Sequence, residues 1–229
     1  MPVLLLALTR DCEAVRAGWL GQPANTLSSL AFLVVGGWLL ARARHAPARA
    51  AELRLFAASA IATAVGSVAF HGPNPSWGQW AHDTPIAAGL LLATVVDIAA
   101  FTGRRRRELV AWLAGSAAIG LLLWFVPDAQ RVVFGVLGVG FGGLELIAVR
   151  RRMRPWPGGH DFGLWMSVAG TFAVGVGAFF LGRMPAFCDP TSSFQLHAVW
   201  HLLQAFTIGA YVHVAVERPA SRAQAPPGG

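Results

Sequence analysis

The sequence predicts an all-α integral membrane protein, a seven-transmembrane helix bundle with its N-terminus outside and its C-terminus in the cytoplasm. Three observations predict it. Of 229 residues, 55% are hydrophobic and only 13% charged, which is too little charge for an ordinary soluble surface. Seven nearly charge-free stretches, each of a length that crosses a bilayer, follow one another with short connections. The basic residues are all arginine, and fourteen of the eighteen fall in alternate connections, the positive-inside pattern.

The spans follow in order. Span one covers 24–40 and is followed by Arg42, Arg44, Arg49 and Arg54, which mark the cytoplasmic side. Span two, 53–70, runs from Arg54 outward to His71, where Gly72-Pro73 ends the helix. Span three, 80–101, starts outside, carries Asp83 in its first turn and closes on four arginines at 104–107. Span four, 109–126, returns outward. Span five, 132–149, contains Gly135, Gly138, Gly140, Gly142 and Gly143, read as a small-residue packing surface together with Gly170, Gly175 and Gly177 of span six. Arg150, Arg151, Arg152 and Arg154 separate span five from span six, 162–181. Span seven, 194–216, brings His197 and His201 into its first two turns and is followed by Arg218 and Arg222.

These spans divide the chain into an outer N-terminal segment (1–23), the seven-helix domain (24–217) and a disordered cytoplasmic tail (218–229) rich in Pro, Ala and Gly. The opening residues lack a basic stretch and are followed by Arg10-Asp11, so they read as part of the mature chain rather than a removable signal peptide. The net charge of +7 is spent on topology and implies no nucleic-acid partner. Cys12 and Cys188 both fall on the outer, oxidising side. They are expected to pair and tie the N-terminal segment over the mouth of the bundle, two unrelated thiols being the alternative.

Ionisable groups inside a bundle are costly and face the interior or a cavity. Ser67-x3-His71 and His197-x3-His201 each have i, i+4 spacing, so both members of a pair lie on one helix face about a turn apart. With Asp83 they converge on the outer third of the bilayer. Three imidazoles and one open position are the composition of a catalytic zinc site. Two histidines one turn apart on one helix cannot both be axial ligands of one haem, while a hydrogen-bonded interior pair stays open as the plainer reading. His82 would point about 100° from Asp83 and reads as an outer-surface residue. Asp97, Glu145, His213 and Glu217 sit near cytoplasmic span ends beside arginines, where snorkelling or ion pairing accounts for them.

The set Cys12-Glu13, Asn25-Thr26-Leu27-Ser28, Gly66-Ser67-x3-His71, Asp83 with Pro85, and His197-Ala198-x-Trp200-His201 resembles the alkaline ceramidases, members of the CREST superfamily of seven-helix membrane hydrolases. The resemblance implies that His71, His197 and His201 hold zinc, that Asp83 orients or deprotonates the attacking water, and that Ser67 helps stabilise the oxyanion. It also implies calcium at the N-terminal segment through Asp11, Glu13, Gln22 and Asn25. Gln22 stands where the family pattern has a glutamate, and fewer carboxylates weaken a hard-cation site.

The expected function is therefore a zinc-dependent intramembrane amide hydrolase that cleaves ceramide-like N-acyl lipids to a fatty acid and a long-chain base. The alternatives are another lipid amidase or esterase with the same zinc site, and a receptor-like or structural zinc-binding membrane protein. The all-arginine, alanine- and glycine-rich composition suggests a bacterial inner membrane, with the site toward its outer face. An apolar cavity below the zinc is expected between spans two, three and seven, with the glycine-rich spans five and six contributing wall. Each buried CH2 of an acyl chain would contribute roughly 0.8 kcal/mol there.

Overall fold

The computed structural model describes residues 11–151, 153–154 and 162–217, and every regular element among them is helical. The expectations for residues 1–10, for the tail beyond 217 and for Arg152 lie outside the described residues. α1 (Pro23–Ser28) begins with Pro23, where a missing N–H costs nothing. Its first turn is capped from a distance: the two Glu13 carboxylate oxygens accept the N–H groups of Ala24 and Asn25 at 2.8 and 2.9 Å. The hydroxyls of Ser28 and Ser29 both donate to the Asn25 carbonyl, at 3.0 and 2.6 Å. Such back-bonding competes with the helix ladder, and the helix resumes after Ser29 as α2 (Leu30–His45).

α3 (Ala50–His71), α4 (Gly78–Thr102), α5 (Arg105–Phe125), α6 (Gln130–Arg150), α7 (Phe162–Leu181) and α8 (Leu196–Tyr211) follow. A π turn, Val212–Glu217, continues α8. α4 ends at Gly103, whose φ of 71° is the left-handed conformation that a helix C-terminus favours in glycine. Among the described residues, six segments are long and apolar enough to cross a membrane: Pro23–His45, Pro47–His71, Gly78–Thr102, Pro127–Arg150, Phe162–Leu181 and Leu196–Val216. The seventh expected span falls short of the same measure. Arginines and Glu108 occupy the first turn of α5, which leaves Leu109–Phe125 as its apolar part, about 25 Å of helix at 1.5 Å per residue.

The fold is a multi-pass membrane bundle whose outside is as apolar as its inside. Val34, Val136 and Val139 are each about two-thirds exposed or more, a surface suited to lipid rather than to water. The interior is packed where α2, α3, α4 and α8 meet, around Leu39, Leu53, Phe56, Leu92 and Tyr211. The small-residue reading of α6 is corrected: among the described residues, a Cβ at any of Gly135, Gly138, Gly140, Gly142 or Gly143 would meet nothing within 4 Å. Of the three glycines named in α7, only Gly175 approaches a neighbour, the Gln204 side chain of α8.

The tightest glycine contacts lie in α3. A Cβ on Gly66 would stand 1.8 Å from the carbonyl oxygen of Ala81 in α4. Pro85 explains why that carbonyl is available, because proline has no N–H to return to the residue four positions earlier. Ser59 Oγ donates to the Pro85 carbonyl at 2.8 Å on the same seam. α3 and α4 thus touch backbone to backbone beside His82.

At the far end of α4, Asp97 and Glu145 pair with Arg154, and the Tyr211 hydroxyl donates to Asp97 at 3.2 Å. Ion pairing, one of the two readings of these carboxylates, is the one realised, and it joins α4, α6 and α8. At the other end Cys12 and Cys188 are disulfide-bonded, as expected, with Cα atoms 5.4 Å apart across 176 positions of sequence. Replacing both with serine is expected to lower stability by about 2–4 kcal/mol, read as a lower midpoint of thermal unfolding in detergent. An unchanged midpoint would show that the N-terminal segment is held by its hydrogen bonds alone.

Candidate metal centre

Four buried histidines, His71, His82, His197 and His201, meet at one end of the bundle, each offering a ring nitrogen within 4.8 Å of the others. α3 supplies His71 from its last turn, α4 supplies His82, and α8 supplies His197 and His201 from successive turns. The ring centroids of His71 lie 5.0 and 5.2 Å from those of His197 and His201. The three expected ligands therefore converge. His82 joins them, which corrects its reading as an outer-surface residue. The Gly66–Ala81 contact turns the His82 face of α4 toward α3, and Asp83, one residue on, is rotated toward α5.

The hydrogen bonds say which nitrogen of each ring points at the centre. Gln22 donates from Nε2 to the Glu13 carbonyl at 2.7 Å, so its Oε1 is the atom that accepts from His71 Nδ1 at 2.6 Å. Ser28 gives its proton to the Asn25 carbonyl and accepts from His201 Nδ1 at 2.9 Å. Asp83 Oδ1 accepts from His82 Nδ1 at 2.7 Å. In all three rings the proton is held on Nδ1 and the lone pair is left on Nε2. Those Nε2 atoms, with the Nε2 of His197, are buried and have no hydrogen-bond partner. Buried polar atoms left unpaired cost about 1–3 kcal/mol each, and imidazoles held this way from behind are the pattern of metal ligands. The residues fit a divalent metal ion.

Asp11 and Arg183 close the outer side. Asp11 Oδ1 is 3.1 Å from His197 Nδ1, its Oδ2 is 3.8 Å from His71 Nδ1, and Arg183 pairs with it. Burial pushes the Asp11 carboxyl above its usual range, opposed by the Arg183 guanidinium. Arg183 also lies over the Phe179 ring, 3.5 Å from its centroid. Because Cys12 follows Asp11 directly, the disulfide fixes this carboxylate over the histidines.

Three of the four residues assigned to calcium are engaged in other ways. Asp11 faces the histidines and Arg183, Glu13 caps α1, and Gln22 holds His71. Asn25 is buried with its side-chain amide unpaired. Calcium gains no support from this arrangement. Ser67 is buried and shares a hydrogen bond with Ser29, 2.8 Å between hydroxyl oxygens, in the chain that leads to Asn25. Asp83 meets the cluster through His82. Sequence reasoning missed His82, Ser28 and the true task of Gln22. The adjacent His82-Asp83 pair was the available signal for the first, and Ser28 lay within the quoted Asn-Thr-Leu-Ser motif.

A cavity lies beside Asp83 on the α5 side of α4. About 260 Å³ lies between the first turns of α4 and the last turn of α5, lined by residues that include Trp77, Trp80, Asp83, Leu123 and Trp124. It meets Asp83 on the side away from α8 because Asp83 is turned toward α5.

A membrane-type helical bundle with a buried imidazole metal site at one end is the class these features define. The chain matches the family model described as Ceramidase over residues 19–221 and belongs to that family. Membership implies a hydrolase that acts on an amide bond, with a lipid as substrate. Comparison with curated proteins finds no match.

Proposed function

We propose that this protein is a zinc-dependent intramembrane amide hydrolase acting on ceramide-like N-acyl lipids and releasing a fatty acid and a long-chain base. Seven spans, N-out and C-in, would set the site toward the outer face of a bacterial inner membrane, with the arginine asymmetry as support and the short apolar run of α5 crossing a locally thin region. One observation carries the reading: three Nδ1 positions are braced by Gln22, Ser28 and Asp83 while the facing Nε2 atoms have no partner.

His71, His197 and His201 would hold the zinc. When bound, zinc polarises an amide carbonyl and makes water a nucleophile near neutral pH. His82 faces the same centre, and its Nε2 is the atom placed to hold a proton and deliver it to the leaving amine. Asp83 acts through His82 by fixing its Nδ1–H. Turning the Ser67 O–H from Ser29 toward the centre supplies a donor for the developing oxyanion. Asp11 and Arg183 exclude water from the outer side and orient His197.

The expected result is about one zinc per chain and chelator-sensitive hydrolysis of long-chain N-acyl lipids, with short soluble amides poor substrates. Asp83→Asn should keep the zinc and lower hydrolysis on the order of 10²–10⁴-fold. Loss of the metal with hydrolysis intact would reverse these roles.

A second reading is favoured by the fourth histidine. Four imidazoles can saturate a tetrahedral zinc and leave a structural site with no open position. His82→Gln separates the two readings: zinc retained with hydrolysis lost supports the hydrolase, and zinc lost from a protein that never hydrolyses supports the structural site.

A further inference from the structure

The cavity beside Asp83 has aromatic walls that the cleavage chemistry leaves unused. Trp77, Trp80 and Trp124 form its walls, with Leu123, and Asp83 is the carboxylate within it. Two of the walls are positioned. Trp80 donates from Nε1 to the Gly120 carbonyl at 2.8 Å and meets Trp124 edge to face, with ring centroids 5.3 Å apart. Asp83 is 6% exposed, with Oδ1 taken by His82. The last turn of α5 forms one side of the cavity, and a helix C-terminus carries partial negative charge. Indole faces, a carboxylate and a helix C-terminus all favour a cation.

We infer that this cavity receives the amine half of the substrate and holds its ammonium group after cleavage. The inference rests on the amide-hydrolase reading. Hydrolysis breaks the C–N bond and adds water across it; the acyl carbon takes the oxygen and leaves as a carboxylate, while the nitrogen leaves as an amine that gains one proton to become a primary ammonium. Water supplies every atom added. The new cation forms beside the histidine cluster, and the His82–Asp83 pair spans the distance from that cluster to the tryptophans. A neutral amide nitrogen has little affinity for the box, whereas the ammonium does, so the cavity draws the amine product away from the acyl product.

The test uses purified, zinc-loaded full-length protein in neutral dodecyl maltoside micelles, with dodecylammonium and dodecanol as probes, followed by titration calorimetry. Dodecylammonium is expected to bind more tightly than dodecanol, and Trp77→Leu with Trp124→Leu should cut that preference about ten-fold with zinc per chain unchanged. The corresponding Phe pair should restore part of it, because a smaller aromatic face still attracts a cation. Equal binding of the two probes, or a preference that survives the Leu pair, would overturn the inference and leave the tryptophans as interfacial anchors. Zinc-dependent lipid hydrolysis with no ammonium preference removes this cavity alone. An ammonium preference that depends on the tryptophans supports the cation site even where N-acyl lipids are not cleaved, and that second result then removes the hydrolase reading by itself.

Discussion

Replacing His197 and His201 together with alanine is expected to abolish zinc binding and hydrolysis, the largest effect available from two side chains. These are two of the four nitrogens that converge, and both come from α8, so no other helix can replace them. The stability consequence follows from the unpaired nitrogens. In the wild type, stripping the metal leaves buried Nε2 atoms on four rings without partners and forfeits a linkage term of about 4 kcal/mol at a thousand-fold excess of metal over its Kd. Chelator should therefore lower the unfolding midpoint of the wild type steeply and that of the double variant hardly at all. Metal analysis that still finds one zinc per chain in the double variant would remove these residues from the site.

Gly66→Ala should be nearly as damaging, although glycine and alanine differ by one methyl group. The added Cβ would sit 1.8 Å from the Ala81 carbonyl oxygen, 2.4 Å from its carbon and 2.9 Å from His82 N. All three are backbone atoms, which cannot rotate aside. α3 and α4 must separate, and since His71 ends one helix and His82 begins the other, the separation opens the cluster itself. Overpacking of this kind costs about 1–3 kcal/mol or more, and the metal affinity is expected to fall at least ten-fold. The control is Gly138→Ala in α6, where the new methyl meets nothing within 4 Å and removing a helix-interior glycine is expected to be neutral or slightly stabilising. Equal metal affinity in Gly66→Ala and the wild type would show that the helix contact does not set the site.

Much of the design is legible one helix at a time. Composition and the spacing of arginines mark a membrane protein and its spans, because the bilayer acts on each apolar stretch by length and each positive cluster by charge, with no reference to tertiary partners. The pairs Ser67/His71 and His197/His201 are legible for a similar reason, since i, i+4 spacing puts two side chains on one face whatever that face meets. The disulfide was an expectation from the predicted topology, with two unrelated thiols as the alternative, and the structure joins the two cysteines. The sequence by itself thus determined the helical class, the family and three of the four converging histidines.

What it could not determine was the rotation of one helix against another. Periodicity places Asp83 and His82 about 100° apart but does not say which faces the centre. That was decided by Gly66 and by the carbonyl Pro85 leaves free, a contact between residues fifteen positions apart on different helices. The glycines of α6 show the converse, a pattern suited to packing that meets no neighbour among the described residues. Gln22, Ser28 and Asp11 acquired their tasks only when the N-terminal segment was drawn over the histidines by Glu13 and the disulfide. The tertiary structure decided these points because hydrogen-bond direction and helix rotation depend on partners distant in the chain, whereas hydrophobic length and side-chain spacing are local.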